Sequence, residues 1–321
     1  MGLPMDTATK KLIEALQRKR QAERYSLRKL SAVIGVSFSS LARMERGEGE
    51  PDNNSCIRIL EWLGDDAKGL GLPLERVAFV HFRASKNIDS KTIHCLLQVA
   101  DILKRKFVTR RTPARRTTMQ HNAPLADAFQ IDLSKSEMET MAQSFRKELG
   151  INDQKRLDPL KIVIDGIKVL TVSEIDDIPP EITAHLKGPS ATTWSAMSVP
   201  LDEENDTWVI VRNAQHQPVR QHVSLLEEFW HILLGHKLTK IAKVVDVYGR
   251  TFDEQEEHDA FYLAAATMLP KSIIRKAVKE KADTVQLAND YGTSPELVEY
   301  RIKRLGLWRE YKGKSVRLET L

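Results

Sequence analysis

Apolar residues recur at helical spacing from residue 6 to residue 107, which predicts consecutive helices over this stretch. The pattern stops in a basic, threonine-containing stretch at 108–123, and a helix resumes from about residue 124. Short β-branched runs bounded by Gly, Pro, Asn and Asp then predict strands in KIVIDGIKVLTVSEI, WSAMSVPL and TWVIVRN. After the segment LLEEFWHILLGHK, helices are predicted to continue to Tyr311. We therefore expect a mostly α-helical chain with a small β-sheet, an α+β fold.

The length of 321 residues is enough for two domains with separate cores. No apolar run approaches the ~18 residues that cross a bilayer, and the N-terminus lacks the apolar segment of a secretory signal. Cys56 and Cys95 lie far apart, which favours a reducing compartment over a disulfide framework or a cysteine-based zinc site. We expect a cytoplasmic protein that binds no membrane. The predicted divisions are a helical domain at 1–107, a basic linker at 108–123, a second domain at 124–275 and a helical tail at 276–321.

The net charge of +5 is unevenly spread along the chain. Residues 1–121 hold 23 Lys and Arg against 13 Asp and Glu, whereas residues 122–321 hold 26 against 31. The first part is therefore basic and the remainder acidic, which indicates that nucleic acid is contacted from the N-terminal side. The alternative is that this uneven distribution of charge arose by chance.

The segment SLRKLSAVIGVSFSSLARMERGEGEP has the spacing of a helix-turn-helix. Ser26 is a good N-cap for the first helix, Gly35 permits the tight turn, and Ser37 caps a second helix from Phe38 to Glu45. In such a unit the second helix enters the major groove with its N-terminal residues against base edges. The predicted DNA contacts are Ser37, Phe38, Ser39, Ser40 and Arg43 to bases, and Arg28, Lys29 and Arg46 to phosphates.

Two of these side chains have specific partners in DNA. Arg43 can pair bidentately with guanine, and Phe38 can contact a thymine methyl group.

The stretch from KKLIEALQ to RILEWL resembles the XRE family of Cro- and phage-repressor-like DNA-binding domains, and carries the pattern LxxLSxxxGVSxxxLxxxERG. The resemblance implies an all-α, five-helix, lambda-repressor-like domain that binds a double-stranded DNA operator, and we expect a homodimer. The alternative is an ordinary helical bundle with a chance Gly-Val-Ser turn. Downstream, VHFRASKNIDSKTIHCLLQVADIL is interpreted as an amphipathic helical extension used for packing or as a dimer surface.

A second candidate site lies in the string EEFWH, residues 227–231. Glu227 and His231 are four residues apart on one helix face, where both can bind a single ion, and Glu228 stands where a general base belongs. A third ligand is expected from DEQEEHDAFYLAAATMLP. The candidates there are Asp259 first, with Glu256, Glu257 and His258 as alternates. The competing interpretation is a solvated, charged helix face.

The order of these segments resembles the ImmA/IrrE-type metallopeptidases from about Leu125 to Pro270. The resemblance implies a zincin-like α+β domain with a helical C-terminal tail and a bound zinc ion. By position, His231 matches the second ligand histidine, Glu228 the general base and Asp259 the ligand glutamate. Glu227 stands where the family has its first histidine. Two carboxylates at the ion should raise the pKa of a bound water relative to a His-rich site.

Together the resemblances imply a sequence-specific DNA-binding transcription regulator whose zinc metallopeptidase-like domain cleaves a repressor or the chain itself. One alternative is that the second domain is a catalytically inactive sensor or dimerisation module. Another is that it is a protease, which the helix-turn-helix domain delivers to DNA-bound targets. His222 and His236 are expected to be bystanders, the latter off the metal face. The predicted substrate strand, able to pair with an extended peptide, is Trp208, Val209, Ile210, Val211, Arg212 and Asn213.

The tail segment VQLANDYGTSPELVEYRIKRLGL again shows a helix, a glycine turn and a second helix. We expect it to pack around the site. The alternative is a second nucleic-acid contact through Arg301, Lys303 and Arg304.

Overall fold

The computed structural model describes residues 7–64, 66, 74–84, 88–110, 133–202, 205–236, 239–244, 247–251 and 253–316. They form two compact units, the first made of residues up to Val80 with Asp89–Leu97 and Leu238–Phe252, and the second of the remainder. Within the described ranges, no helix is both long enough and apolar enough to span a membrane.

The α+β fold class is confirmed by the elements that these ranges contain. The helices are α1 (Thr7–Ala22), α2 (Leu27–Ile34), α3 (Phe38–Glu45), α4 (Asn53–Leu63), α5 (Ser90–Arg110), α6 (Lys135–Glu148), α7 (Pro180–Lys187), α8 (Pro218–Leu233), α9 (Glu254–Met268), α10 (Lys271–Lys279), α11 (Thr284–Tyr291), α12 (Pro295–Arg304) and α13 (Trp308–Tyr311). The strands are β1 (Leu74–Ala84), β2 (Ile167–Thr171), β3 (Trp194–Asp202), β4 (Thr207–Arg212), β5 (Thr239–Val244) and β6 (Val247–Thr251).

The first unit packs α1 to α4 around one apolar core. Its most deeply buried side chains, such as Leu16, Leu30 and Leu41, are leucines and isoleucines at helical spacing. A salt bridge fastens α1 to α3, because the Arg20 guanidinium contacts both carboxylate oxygens of Glu45, at 2.6 and 2.7 Å. The orientation of α3 is therefore fixed by both the core and this ion pair.

Strands occur in two places where the sequence pattern predicted helices. Leu74–Val80 of β1 pairs antiparallel with β5, and β5 pairs antiparallel with β6. The prediction of continuous helices over 6–107 is therefore wrong at β1, and the prediction of helices from the EEFWH segment to Tyr311 is wrong at β5 and β6. Both stretches are rich in β-branched and aromatic residues, which is a strand signal.

The basic linker predicted at 108–123 lies almost wholly outside the described residues. Only residues 108–110 are described, and they form the end of α5.

The second unit contains a sheet on which α8 packs. Here β2 pairs parallel with β4, β3 pairs antiparallel with β4, and His81–Ala84 of β1 pairs antiparallel with β3. Helix α8 contacts β3 and β4 on one side and α9 on another, and α9 also contacts α6. The sheet and these helices thus hold the EEFWH segment in the middle of the unit.

Helices α10 to α12 share the same core as α8 and α9, with Ile274, Val298 and Ile302 almost fully buried. Arg301 of α12 is also fully buried, and its two terminal nitrogens donate to the carboxylate of Glu139 at 2.8 and 2.9 Å. The alternative interpretation of Arg301 as a nucleic-acid contact is therefore wrong, because the guanidinium lies inside the protein.

Candidate nucleic-acid interface and carboxylate–histidine site

The turn between α2 and α3 has the geometry that the sequence predicted. The Ser26 hydroxyl accepts from the backbone N–H of Lys29 at 3.1 Å and caps α2. Gly35 follows α2 with a φ of 68°, in the left-handed region that glycine adopts without strain. Ser37 then caps α3 by accepting from the backbone N–H of Ser40, also at 3.1 Å. The end of α2 and the start of α3 are therefore both set by residues within the turn itself.

The face of α3 that points away from the core carries the residues predicted to contact bases. Ser37, Phe38, Ser39, Ser40 and Arg43 are all exposed. Leu41 and Met44 of the same helix are buried, so the core and the exposed face are cleanly separated.

Two cations at the start of α2, Arg28 and Lys29, are exposed, and Arg28 lies beside this face. The Arg28 guanidinium carbon lies 5.8 Å from the ring centroid of Phe38, and the Lys29 ammonium lies 4.1 Å from that of Tyr25. Positive charge close to an exposed helix face is the arrangement that binds phosphates beside a groove.

Two further arginines are bound to the loop after α3. Arg43 donates to the backbone carbonyl of Glu48 at 3.3 Å, and Arg46 donates to the Glu48 carboxylate at 2.7 Å. The hydrogen bond to Glu48 raises the pKa of Arg46. The N-terminal end of α3 is therefore more open to a ligand than its C-terminal end.

In the second unit the EEFWH residues are buried in α8 rather than solvated. Glu227, Glu228 and His231 are 5%, 1% and 7% exposed. This excludes the interpretation of the string as a solvated helix face.

Glu228, the predicted general base, lies against strand β3. The Ser198 hydroxyl donates a hydrogen bond to Glu228 Oε2, and both side chains are fully enclosed. The sequence did not single out Ser198. The available signal was its place in WSAMSVPL, where Ser195 and Ser198 are the two hydroxyl residues of an otherwise apolar strand that precedes the helix.

His231 is bound by a residue that was expected to be a bystander. The Nδ1 atoms of His231 and His236 lie 2.9 Å apart, and His231 Nε2 lies 3.9 Å from Glu257. Burial lowers the pKa of His236 to about 4, so this ring is neutral near pH 7 and one of the two Nδ1 atoms carries the shared hydrogen. His236 was placed off the metal face because helical spacing was assumed. Gly235, at a φ of 62°, instead turns the chain back.

The acidic cluster at the start of α9 is divided between inward and outward positions. Asp259 is buried, and its Oδ1 accepts from Gln255 at 2.8 Å and contacts His258 Nδ1 at 3.2 Å. Glu256 and Glu257 are half-buried. The predicted ligands thus meet in pairs, His231 with Glu257 and Asp259 with His258.

Zinc does not fit the side chains as they are arranged. In the part of the chain that the structure describes, no three His, Cys, Asp or Glu side chains form a group able to hold a metal ion. His231 Nδ1 and Asp259 Oδ1 make hydrogen bonds within the protein, and His231 Nε2 lies 3.9 Å from the Glu257 carboxylate. A catalytic zinc site needs three protein ligands aimed at one point, with a fourth position left for water.

The predicted substrate strand has no open edge along its paired residues. Strand β4 lies between β2 and β3, with Val209 paired to Lys168 on one side and to Val199 on the other. An extended peptide therefore cannot pair with β4 in the way that the sequence suggested. Asn213, just beyond the strand, is buried and donates to the backbone carbonyls of Ala191 and Trp194.

Two family models match the chain. Residues 16–64 match the model described as Helix-turn-helix, and residues 191–303 match the peptidase model described as IrrE N-terminal-like domain. Searches of the curated proteins and of the solved structures gave no significant match. The chain therefore combines an XRE-type helix-turn-helix with an IrrE/ImmA-like region, as the resemblances predicted.

Proposed function

We propose that this protein is a sequence-specific, DNA-binding transcription regulator whose IrrE-like region works as a regulatory module and not as a zinc peptidase. The observation that carries the proposal is the capped turn at Gly35, which presents the exposed face of α3 beside Arg28, with Lys29 exposed next to Arg28 in α2. The match to the helix-turn-helix model supports the same conclusion.

Double-stranded DNA is the partner that this surface suits. A helix of this kind enters the major groove, and cations beside it neutralise phosphates. Regulators built this way commonly act as symmetric dimers, and we expect a homodimer that binds half-sites about 10–10.5 base pairs apart or at multiples of that spacing.

DNA recognition is tested by selecting bound sequences from random duplexes and measuring affinity for the selected site by fluorescence anisotropy. Ser39→Glu places a carboxylate on the exposed face of α3 and should abolish specific binding. Ser136→Glu is the matched control, because Ser136 is also an exposed serine at the second position of a helix. Glutamate in a first helical turn is favourable, so both variants should fold. Equal loss of binding in the two variants, or none in either, contradicts the proposal.

The second part of the proposal concerns the EEFWH site. Glu227 replaces the histidine of the family pattern, the Ser198 hydroxyl binds the Glu228 carboxylate, and His236 binds His231. These contacts support a side-chain network that holds α8 without a metal, and the unit then acts on the DNA-binding part by conformation or association. A repressor substrate and self-cleavage belong to the competing candidate, the active peptidase.

Metal analysis separates the two candidates. We expect the purified full-length protein to retain far less than one zinc ion per chain, and its thermal unfolding to be unaffected by a chelator. Stoichiometric zinc that disappears in His231→Ala would contradict this expectation. Cleavage of the chain that is lost in Glu228→Gln would establish the peptidase instead.

A further inference from the structure

Phe38 is a large apolar side chain that the fold leaves uncovered at a functional position. It is the first residue of α3 and is 46% exposed, although Leu41 and Met44 of the same helix are buried. An isolated exposed apolar residue needs no special explanation on an ordinary surface. Here, however, the residue stands at the end of the helix that enters the DNA groove.

The other side chains on this face have competing contacts inside the protein. The Ser37 hydroxyl is used by the cap, and it also contacts the hydroxyls of Ser39 at 3.1 Å and Ser40 at 2.8 Å. Arg43 bends toward the following loop, where it donates to the Glu48 carbonyl and lies against Gly49. Phe38 is therefore the side chain at this end of α3 whose exposed area is not engaged by hydrogen bonds.

Arg28 gives the ring a defined position. Its guanidinium carbon lies 5.8 Å from the ring centroid, within the range of a cation–π contact. A cation so placed can bind a phosphate while the ring edge faces the base pairs.

We propose that Phe38 recognises the 5-methyl group of a thymine in the operator, and so determines one position of the sequence that this protein binds. The inference rests on the proposed DNA binding. Among the bases, thymine alone presents a methyl group in the major groove, and an aromatic side chain is a suitable apolar partner for it. Arg43, the predicted guanine contact, is not the main determinant at this end of the helix.

The experiment removes the methyl group and nothing else. After a site has been selected with the wild-type protein, each thymine is replaced in turn by deoxyuridine and affinity is measured by anisotropy. Burial of one methyl group corresponds to a loss of about three- to five-fold, which we expect at one position per half-site. Phe38→Ala should bind thymine and deoxyuridine equally at that position. Val33→Ala, which removes another exposed apolar side chain of the same unit, should keep the preference.

A second variant covers the case in which Phe38→Ala binds too weakly to measure. Phe38→Gln should likewise bind thymine and deoxyuridine equally at that position, because an amide recognises adenine N6 and N7 and gains nothing from the thymine methyl group. A preference for thymine over deoxyuridine that is undiminished in either variant overturns the inference while DNA binding stands. If the wild-type protein selects no sequence at all, the proposed function itself fails.

Discussion

At Gly35, the turn of the helix-turn-helix places two demands on one residue. Its φ of 68° is unfavourable for a side chain, and an added Cβ would also collide with the guanidinium of Arg58. Gly47, with a φ of 72°, has no neighbour within 4 Å of such a Cβ. We expect Gly47→Ala to lower the free energy of unfolding by about 1–2 kcal/mol, the usual cost of left-handed backbone, and Gly35→Ala by more.

The larger loss of unfolding free energy expected for Gly35→Ala than for Gly47→Ala has a specific cause that can be removed. Arg58 donates to the Gly35 carbonyl at 3.3 Å, and it must move when a Cβ is added. In the Arg58→Ala background, Gly35→Ala should therefore cost no more than Gly47→Ala. Urea unfolding of the four variants measures both differences. An excess that persists without Arg58 would contradict this explanation.

Residues whose role is set by neighbours along the chain could be predicted from the sequence, whereas partners across the fold could not. Ser26, Gly35 and Ser37 act through local geometry, so their spacing alone identified them. Ser198 and His236 reach the EEFWH helix from a strand and from a reversed turn. Neither contact follows from helical spacing, and the sequence therefore indicated the helix correctly but not the hydrogen bonds that enclose it.

At the scale of elements, the chain builds the same turn twice. Helices α2 and α11 each have eight residues and end at a left-handed glycine, Gly35 at 68° and Gly292 at 65°. Each turn closes with a serine, Ser37 or Ser294, that accepts from the backbone N–H three residues later. Local geometry thus does not distinguish a DNA-binding turn from the turn in the tail.

What separates the two turns is the surface of the helix that follows. Helix α3 exposes serines, Phe38 and Arg43, whereas α12 exposes Glu296 in its first turn and buries Arg301. The Gly292 carbonyl is also bound within the unit, 3.1 Å from His222 Nδ1. The second turn therefore serves packing, which was the expectation from the sequence. The Glu296 carboxylate at the start of α12 would also repel phosphates.

A matched pair of lysines tests this distinction. Lys29 and Lys303 are both exposed, and their ammonium groups lie 4.1 and 4.3 Å from the rings of Tyr25 and Trp308. We expect Lys29→Gln to weaken binding to every sequence alike and to reduce the salt slope by about 1. Lys303→Gln should leave both the affinity for DNA and its dependence on salt concentration unchanged. Anisotropy titrations at several salt concentrations measure the slopes, and a reduced slope in Lys303→Gln would restore the tail as a DNA contact.

The strands show why element type was only partly predictable. β3 and β4 were identified because each is a short apolar run between turn residues. β1, β5 and β6 were assigned to helices since they follow or precede convincing helical stretches and have few Gly or Pro residues within them. Their β-branched and aromatic residues were present in the sequence, but only strand pairing between distant segments, such as Leu74 with Val244, makes this signal decisive.

At the scale of the whole unit, one buried ion pair ties the tail to the peptidase-like helices. Arg301 of α12 and Tyr262 of α9 both donate to Glu139 of α6, the tyrosine at 2.7 Å. We expect Glu139→Gln to lower the free energy of unfolding by about 3–5 kcal/mol, because it leaves a guanidinium buried without its carboxylate. Chemical denaturation measures this loss.

The matched control is Glu299→Gln, which removes an exposed partner of Lys303 at 2.9 Å and should cost less than about 0.5 kcal/mol. A similar small loss in Glu139→Gln would mean that the buried pair does not hold the tail in place.

The same carboxylate makes the stability of this unit depend on pH. Burial acts to raise the pKa of Glu139, but the hydrogen bonds and charge of Arg301 outweigh it, and the pKa lies below its ordinary value of 4.5. A depressed carboxyl pKa stabilises the folded state above the unfolded pKa, and this contribution is lost as the pH falls through the folded one. The gap between wild type and Glu139→Gln should therefore be constant from pH 7 to about pH 5 and narrow below pH 4.5. Urea unfolding at each pH measures this difference in unfolding free energy. A difference that widens on acidification would contradict a lowered pKa for Glu139.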